Sequence, residues 1–276
     1  MIKNRKPSFV LSVVALMLLI IMLAPLALII LGAFKTYSEI MTNAISIPER
    51  LSFQNFSNVF RDMNYPKAFL NTVLVTILGT LGIVIVGSLA GYKLSRTKTN
   101  LSYILFIFCI FPMMIPFQSY MIALVKISKS LHLINSIWGL SIIYWGLGSP
   151  LAIFLYHGFV KGIPKELDEC ASIDGCSQIK TFFKIIFPLL KPTTATVVVI
   201  NAMWIWNDFL LPLLIIGTDK SNATLQLAAY GFMGQYKMQW NNIMAGAILI
   251  ILPALVIYLI FQKHIIAGMV DGSVKG

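Results

Sequence analysis

Charge is the first thing this sequence lacks. Only 11% of its 276 residues are charged, with just 10 acids against 21 bases. A soluble domain is nearer a quarter charged and half apolar. Here 58% of residues are apolar and the mean hydropathy is +0.84. A water-soluble fold cannot hide that much apolar surface, so lipid is the expected solvent. Cysteine is also scarce. Cys109, Cys170 and Cys176 are odd in number and frame no disulfide set. No C-x-x-C pair or His-rich cluster occurs among three histidines, so no metal is expected. No Ser/His/Asp arrangement is suggested, which argues against a catalytic site. There is no internal repeat and no low-complexity tract.

What is present is a set of long apolar runs. A spanning helix needs about 20 consecutive apolar residues. Six stretches qualify, at 9–33, 68–92, 101–125, 133–156, 192–216 and 242–262. Asp208 is the one acid or base inside any of them. The first run is too long for a cleaved signal peptide and has no small-residue cleavage site after it. The expectation is therefore an all-α, multi-pass membrane protein with six transmembrane helices in one domain, 1–276.

Lys and Arg in the loops orient such a chain. Six spans put both termini on one side, together with loops 93–100 and 157–191. That side holds 13 of the 21 bases. It is expected to be the cytosol, so both termini should be cytosolic. The net charge of +11 is then mostly a topology signal, and no nucleic-acid partner is expected. Loops 34–67 and 217–241 should lie outside.

The segment 157–191 is the most polar part of the expected cytosolic side. Pro164 suits a first helical turn, and Glu166, Asp168 and Glu169 suit a positive helix end. Ile163, Leu167, Cys170 and Ala171 share one apolar face. Gly175 supplies a left-handed stop, and Ser177 can cap a second helix that runs toward Pro188. A short amphipathic helix with small residues at its centre fits a groove on another protein. It could equally lie on lipid or on this chain's own loops.

Glu169-Cys170-Ala171, three residues, Gly175, nine residues, Ile185, one residue, Phe187-Pro188 resembles the EAA loop of ABC importer permeases. That pattern reads E-A-A, x3, G, x9, I, x, L, P. Cys170 replaces an alanine and Phe187 a leucine, both apolar changes. Trp204-Ile205-Trp206-Asn207-Asp208 resembles the fifth span of maltose-type permeases. Thr224-Leu225-Gln226-Leu227, Gly234-Gln235-Tyr236 and Trp240 resemble their last external loop, and 268–276 their C-terminal tail. The likeness covers nearly the whole chain and is to the shorter of the two maltose permeases. It implies the type I importer fold in a bacterial plasma (inner) membrane. It also implies a second homologous permease, a cytosolic ATPase dimer and an extracellular binding protein that delivers a sugar, an oligosaccharide first among candidates. Glu169, Cys170, Ala171, Asp174 and Gly175 would then form the ATPase-coupling site. The tail would contact the ATPase dimer.

No cofactor is expected in this chain itself. A Walker A loop reads G-x4-G-K-[ST]. The nearest approach, Gly175 to Lys180-Thr181, lacks the second glycine and is one residue short. ATP and magnesium would be bound by the partner ATPase.

For a sugar pathway the fifth span offers aromatic faces and polar groups. On a continuous helix Asn201, Trp204 and Asp208 share a face. A carboxylate in a span normally faces a cavity or a partner. These three, with Gln118, are the expected pathway residues, and Tyr120, Tyr144 and Asn71 are weaker candidates. The alternative is that they hold helices together. Gly87 and Gly91 form a GxxxG, and Pro112, Pro116 and Pro212 are expected kinks. An ion-coupled secondary transporter would carry more intramembrane charges and repeat symmetry. A membrane enzyme would need a nucleophile–base pair.

Overall fold

The computed structural model describes residues 9–217, 219–233 and 238–273. They form fourteen α-helices and no sheet; an isolated bridge joins Met233 and Met238. The chain divides into two compact units, residues 1–66 with 228–255, and 67–227 with 256–276.

The first unit holds α1 (Phe9–Ala33), α2 (Tyr37–Thr42), α3 (Gln54–Asp62) and the first part of α14 (Trp240–Ser273). Leu16 to Met22 on α1 are exposed all round, as expected of a helix bathed in lipid. Its far end packs closely: a Cβ on Gly32 would fall 2.0 Å from the Met244 sulfur of α14. A buried lysine then organises the following loop. Lys35, 0% exposed, donates to the carbonyls of Asn43 and Ala44 at 3.1 and 2.9 Å and to the Ser46 hydroxyl at 3.2 Å. Asn55 donates to the carbonyls of Ala33 and Lys35. Thr36 and Glu39 form a capping box at the start of α2.

The second unit holds α4 (Tyr65–Arg96) from Lys67 on, and then α5 (Asn100–Ile110), α6 (Phe117–Ser130), α7 (Ile137–Lys161), α8 (Glu166–Ile173), α9 (Gln178–Thr181), α10 (Phe187–Leu189), α11 (Lys191–Asn207) and α12 (Leu210–Ile216). The short helix α13 (Leu225–Tyr230) follows. The GxxxG of α4 packs against α7. A Cβ on Gly87 would stand 2.5 Å from the Ala152 Cβ, and one on Gly91 2.7 Å from the Tyr156 Cβ. Trp145 donates its indole N–H to the Leu78 carbonyl at 2.8 Å. Asn71 donates to the carbonyls of Ser221 and Ala223. It thus secures the loop after α12.

Two of the expected spans are not straight helices. The run 101–125 is broken: α5 passes through a 3-10 turn at Phe111–Met114, and α6 leaves at 107°. Pro112 opens that turn and Pro116 immediately precedes α6, so the kinks expected there are larger than kinks. The run 192–216 is also interrupted. α11 ends at Asn207 and α12 restarts at Leu210, with Asp208 extended at φ −75°, ψ 131°. A proline ring clashes with the carbonyl four residues before it, and Pro212 places that clash at Asp208. Helices α1, α4 and α7 are each long and apolar enough to cross a membrane. The pair α5–α6 makes a fourth candidate. The pair 178–189 and α11, bent by 79°, makes a fifth. The sixth expected run, 242–262, falls within α14, which continues to Ser273.

Candidate functional site: the α8 segment and the α11–α12 break

The segment between α7 and α11 folds as helix, bend, helix. α8 begins at Glu166, with Pro164 two residues ahead of it rather than in its first turn. It ends in a Schellman motif. The Cys176 amide donates to the Ala171 carbonyl at 2.9 Å, and the Gly175 amide to Ser172 at 3.1 Å. That closure needs a left-handed residue, and Gly175 sits at φ +72°. No atom lies within 4 Å of a Cβ placed there, so backbone conformation and not space demands the glycine. The Ser177 hydroxyl then accepts from the Lys180 amide. Between α9 and α10 the chain takes a π-helical turn, Phe182–Ile186.

The apolar face of α8 divides in two. Ala171 is 3% exposed and turned into the fold, where a small side chain lets the helix sit close. Cys170 is exposed, Leu167 is 38% exposed and Ile173 85% exposed; Ile179 on α9 is 70% exposed. Glu169, Asp174 and Gly175 are exposed too. Four of the five expected coupling residues are therefore uncovered, and the fifth sets the depth at which the helix sits.

The end of α4 fixes that surface in place. Arg96 donates to the carbonyls of Val160 and Ile163 at 3.2 and 3.0 Å and to Pro164 at 3.4 Å. It also pairs with Asp168 at 2.9 Å. The Tyr92 hydroxyl donates to the other Asp168 oxygen, and Lys93 donates to Gln178 at 3.2 Å. Sequence reasoning valued Asp168 only for the helix dipole and missed this clamp. An arginine at the end of a span, 72 residues from the acid it meets, carries no local signal of a partner.

The expected pathway residues are placed differently from one another. Asp208 and Trp204 meet at Tyr144. The Tyr144 hydroxyl donates to Asp208 at 2.8 Å, and the Trp204 ring stands edge-on to Tyr144 at 5.3 Å. Asp208 also accepts the Leu210 amide at 3.0 Å, capping α12 where the helix restarts. Trp204 is 38% exposed. Asn201 does not join them. It is 2% exposed, donates to the Val197 carbonyl of its own helix, and lies against Gly148 of α7. Its amide packs helices, because α7 covers α11 at that turn. Asn207 donates to the Met203 carbonyl of its own helix. Gln118 is exposed in the first turn of α6. Among the described residues no group of His, Cys, Asp and Glu could hold a metal. Gly234, Gln235 and Tyr236 lie outside the described residues, as do the last three of the tail, whose first part continues α14.

Known proteins match this layout. Residues 83–271 fit the family described as binding-protein-dependent transport system inner membrane component. The probable starch degradation products transport system permease protein AmyC of Thermoanaerobacterium thermosulfurigenes is 40% identical over 99% of both chains. The multiple sugar-binding transport system permease protein MsmG of Streptococcus mutans is 39% identical over 93% of both. The melibiose/raffinose/stachyose import permease protein MelC of Bacillus subtilis is 38% identical over 83% of both. In structure, the chain superposes with a TM-score of 0.78 on a chain of a bacterial ABC transporter involved in the import of the acidic polysaccharide alginate. That match covers 92% of this chain and 94% of the other, at 18% identity. The chain belongs to the binding-protein-dependent transport system inner membrane components, the permeases of ABC importers, as its EAA-like loop implied.

Proposed function

We propose that this chain is one of two permease subunits of an ATP-driven sugar importer, with an oligosaccharide as cargo. A distinct homologous permease completes the pore. A cytosolic ATPase dimer binds ATP and magnesium, and an extracellular binding protein delivers the sugar. The full-length relatives are named for the transport of starch products, multiple sugars and raffinose-type sugars, which supports the substrate class. The chain crosses the membrane six times with both termini in the cytosol, a reading that rests on the lysine and arginine distribution.

One observation carries the mechanism. Uncovered apolar side chains, Leu167, Cys170 and Ile173, stand on a helix held by the Arg96–Asp168 clamp. An exposed apolar patch on an otherwise polar segment marks a docking site, and a short helix presenting such anchors suits a groove. Leu167, Cys170 and Ile173 enter the ATPase groove, Ala171 keeps the helix close to this chain, and Gly175 closes the turn. Asp168, Arg96 and Tyr92 join the helix to the end of α4. When ATP draws the ATPase subunits together, a docked α8 cannot move without pulling α4 through that clamp. Motion therefore reaches the membrane as displacement of a packed helix pair, α4 and α7. Within the pore, Trp204 and the Tyr144–Asp208 pair are the pathway surface of this subunit, with Gln118 a further contact.

Site-specific cross-linking tests the docking. Cysteine at Ile173 should form a disulfide with a cysteine scanned along the ATPase groove, and ATP should change its yield. A cysteine at Ile47, in the loop after α2, should give none. Equal yields from both positions would refute the assignment.

A further inference from the structure

A cationic cavity of about 560 Å³ lies beside the clamp, between the end of α4, the start of α5 and the end of α7. Its bases are Arg96, Lys98, Lys161 and Lys165, and no carboxylate lines it. Arg96 is already engaged by Asp168 and the Val160 and Ile163 carbonyls. Lys98, Lys161 and Lys165 have no ion pair among the described residues. Like charges gathered without a counter-ion repel one another and are held together at a cost unless an anion joins them. Two further observations point to that anion. Ser95 also lines the cavity, is 9% exposed, and its hydroxyl has no hydrogen-bond partner among the described residues. A buried hydroxyl without a partner costs about 1–3 kcal/mol. Thr99 and Ser102, from the cap and first turn of the eleven-residue α5, line the same space. A helix N-terminus favours an anion.

The surroundings identify the source of the charge. His157 stacks on Phe106 at 3.8 Å to form an aromatic floor. From the cavity α5 continues as an apolar rail, with Ile104 61% and Phe108 74% exposed. Tyr103, at the rim, is 68% exposed. A free phosphate has no use for such a rail, whereas acyl chains lie along it. We propose that this cavity binds the phosphate headgroup of an anionic membrane phospholipid, with the acyl chains laid on α5. The inference rests on the membrane topology given above, which puts the cavity at headgroup depth on the cytosolic face. Basic pockets at that depth suit such headgroups. Because Arg96 belongs to both the cavity and the clamp, and Lys165 immediately precedes α8, the bound lipid would steady the coupling helix.

The test uses the full chain, purified with its co-expressed partner subunits in neutral detergent. Retention of phosphatidylglycerol and of phosphatidylcholine is read by native mass spectrometry, without ATP turnover. Failure here is therefore separable from failure of the coupling mechanism. Phosphatidylglycerol should be retained over phosphatidylcholine. Lys98→Gln with Lys161→Gln should weaken its retention about tenfold or more, since each base near a headgroup contributes on the order of 1 kcal/mol. Lys98→Arg with Lys161→Arg should preserve it. Equal retention of the two lipids, or a neutral double variant that retains phosphatidylglycerol as well as wild type, would overturn the proposal. Displacement of the lipid by millimolar inorganic phosphate would overturn it in favour of a free anion. If the neutral variant does not assemble, the two lipids and phosphate on the wild type decide the question alone.

Discussion

Arg96 spreads its guanidinium over three carbonyls and one carboxylate, which makes it the most heavily committed charge near α8. The Arg96 and Asp168 side chains are 13% and 21% exposed, so water screens the pair only in part. Removing one partner of a fully buried pair costs about 3–5 kcal/mol; partial exposure lowers this to about 1–3 kcal/mol. Asp168→Ala should release α8 from α4 and leave assembly intact. Hydrogen exchange of 166–173 should speed up and sugar uptake should fall, while basal ATP hydrolysis persists. Loss of uptake and hydrolysis together would point to a collapsed subunit instead. At Gly87 the constraint is space. Gly87→Leu drives a side chain into Ala152 and should cost about 1–3 kcal/mol, seen as a Tm several degrees lower in detergent. Some of this was legible in sequence. Gly175 and Ser177 announced their roles because a helix stop and a helix cap are local devices. The Arg96–Asp168 pair did not, because it is a long-range meeting of two common residue types.

At the scale of elements, α8 and its Schellman closure follow the sequence closely, since capping and periodicity are local signals. The spans do so less well. Composition shows that 101–125 and 192–216 are apolar, but not that the backbone turns within them. Pro116 and Pro212 held that information, and it needed the i−4 clash worked through to the carbonyl of Asp208. The face shared by Asn201 and Asp208 was drawn on a continuous helix, so it could not show α7 covering Asn201. In the first unit, α2 makes a prediction about acid. The Thr36 backbone amide, and then its hydroxyl, hold Glu39 below the usual carboxylate value. A carboxylate whose folded pKa is depressed contributes stability above its unfolded value, about 4.3, and loses it as pH falls through the lower folded value. Protection of the amides of 36–42 should therefore decline below about pH 4. Glu39→Gln should lack that decline; an identical pH profile in the variant would contradict the role given to the capping box.

For the whole molecule, the decisive feature is that apolar runs, loop charge and the EAA-like pattern agree. Three levels of sequence information point to one architecture, and relatives of nearly equal length match the chain along almost all of it. Sidedness follows from charge alone, so it makes its own prediction. In intact cells an impermeant thiol reagent should modify a cysteine placed at Ile47, and one at Ile173 only after permeabilisation. The reverse pattern would invert the topology. The measurement that tests the central claim most directly is ATP hydrolysis by the assembled transporter, with and without sugar-loaded binding protein, for wild type and Gly175→Asp. The account predicts stimulation in the wild type, and an intact mutant complex that has lost both stimulation and uptake. Unchanged stimulation and uptake in the mutant, or uptake by this chain with no ATPase partner, would contradict it.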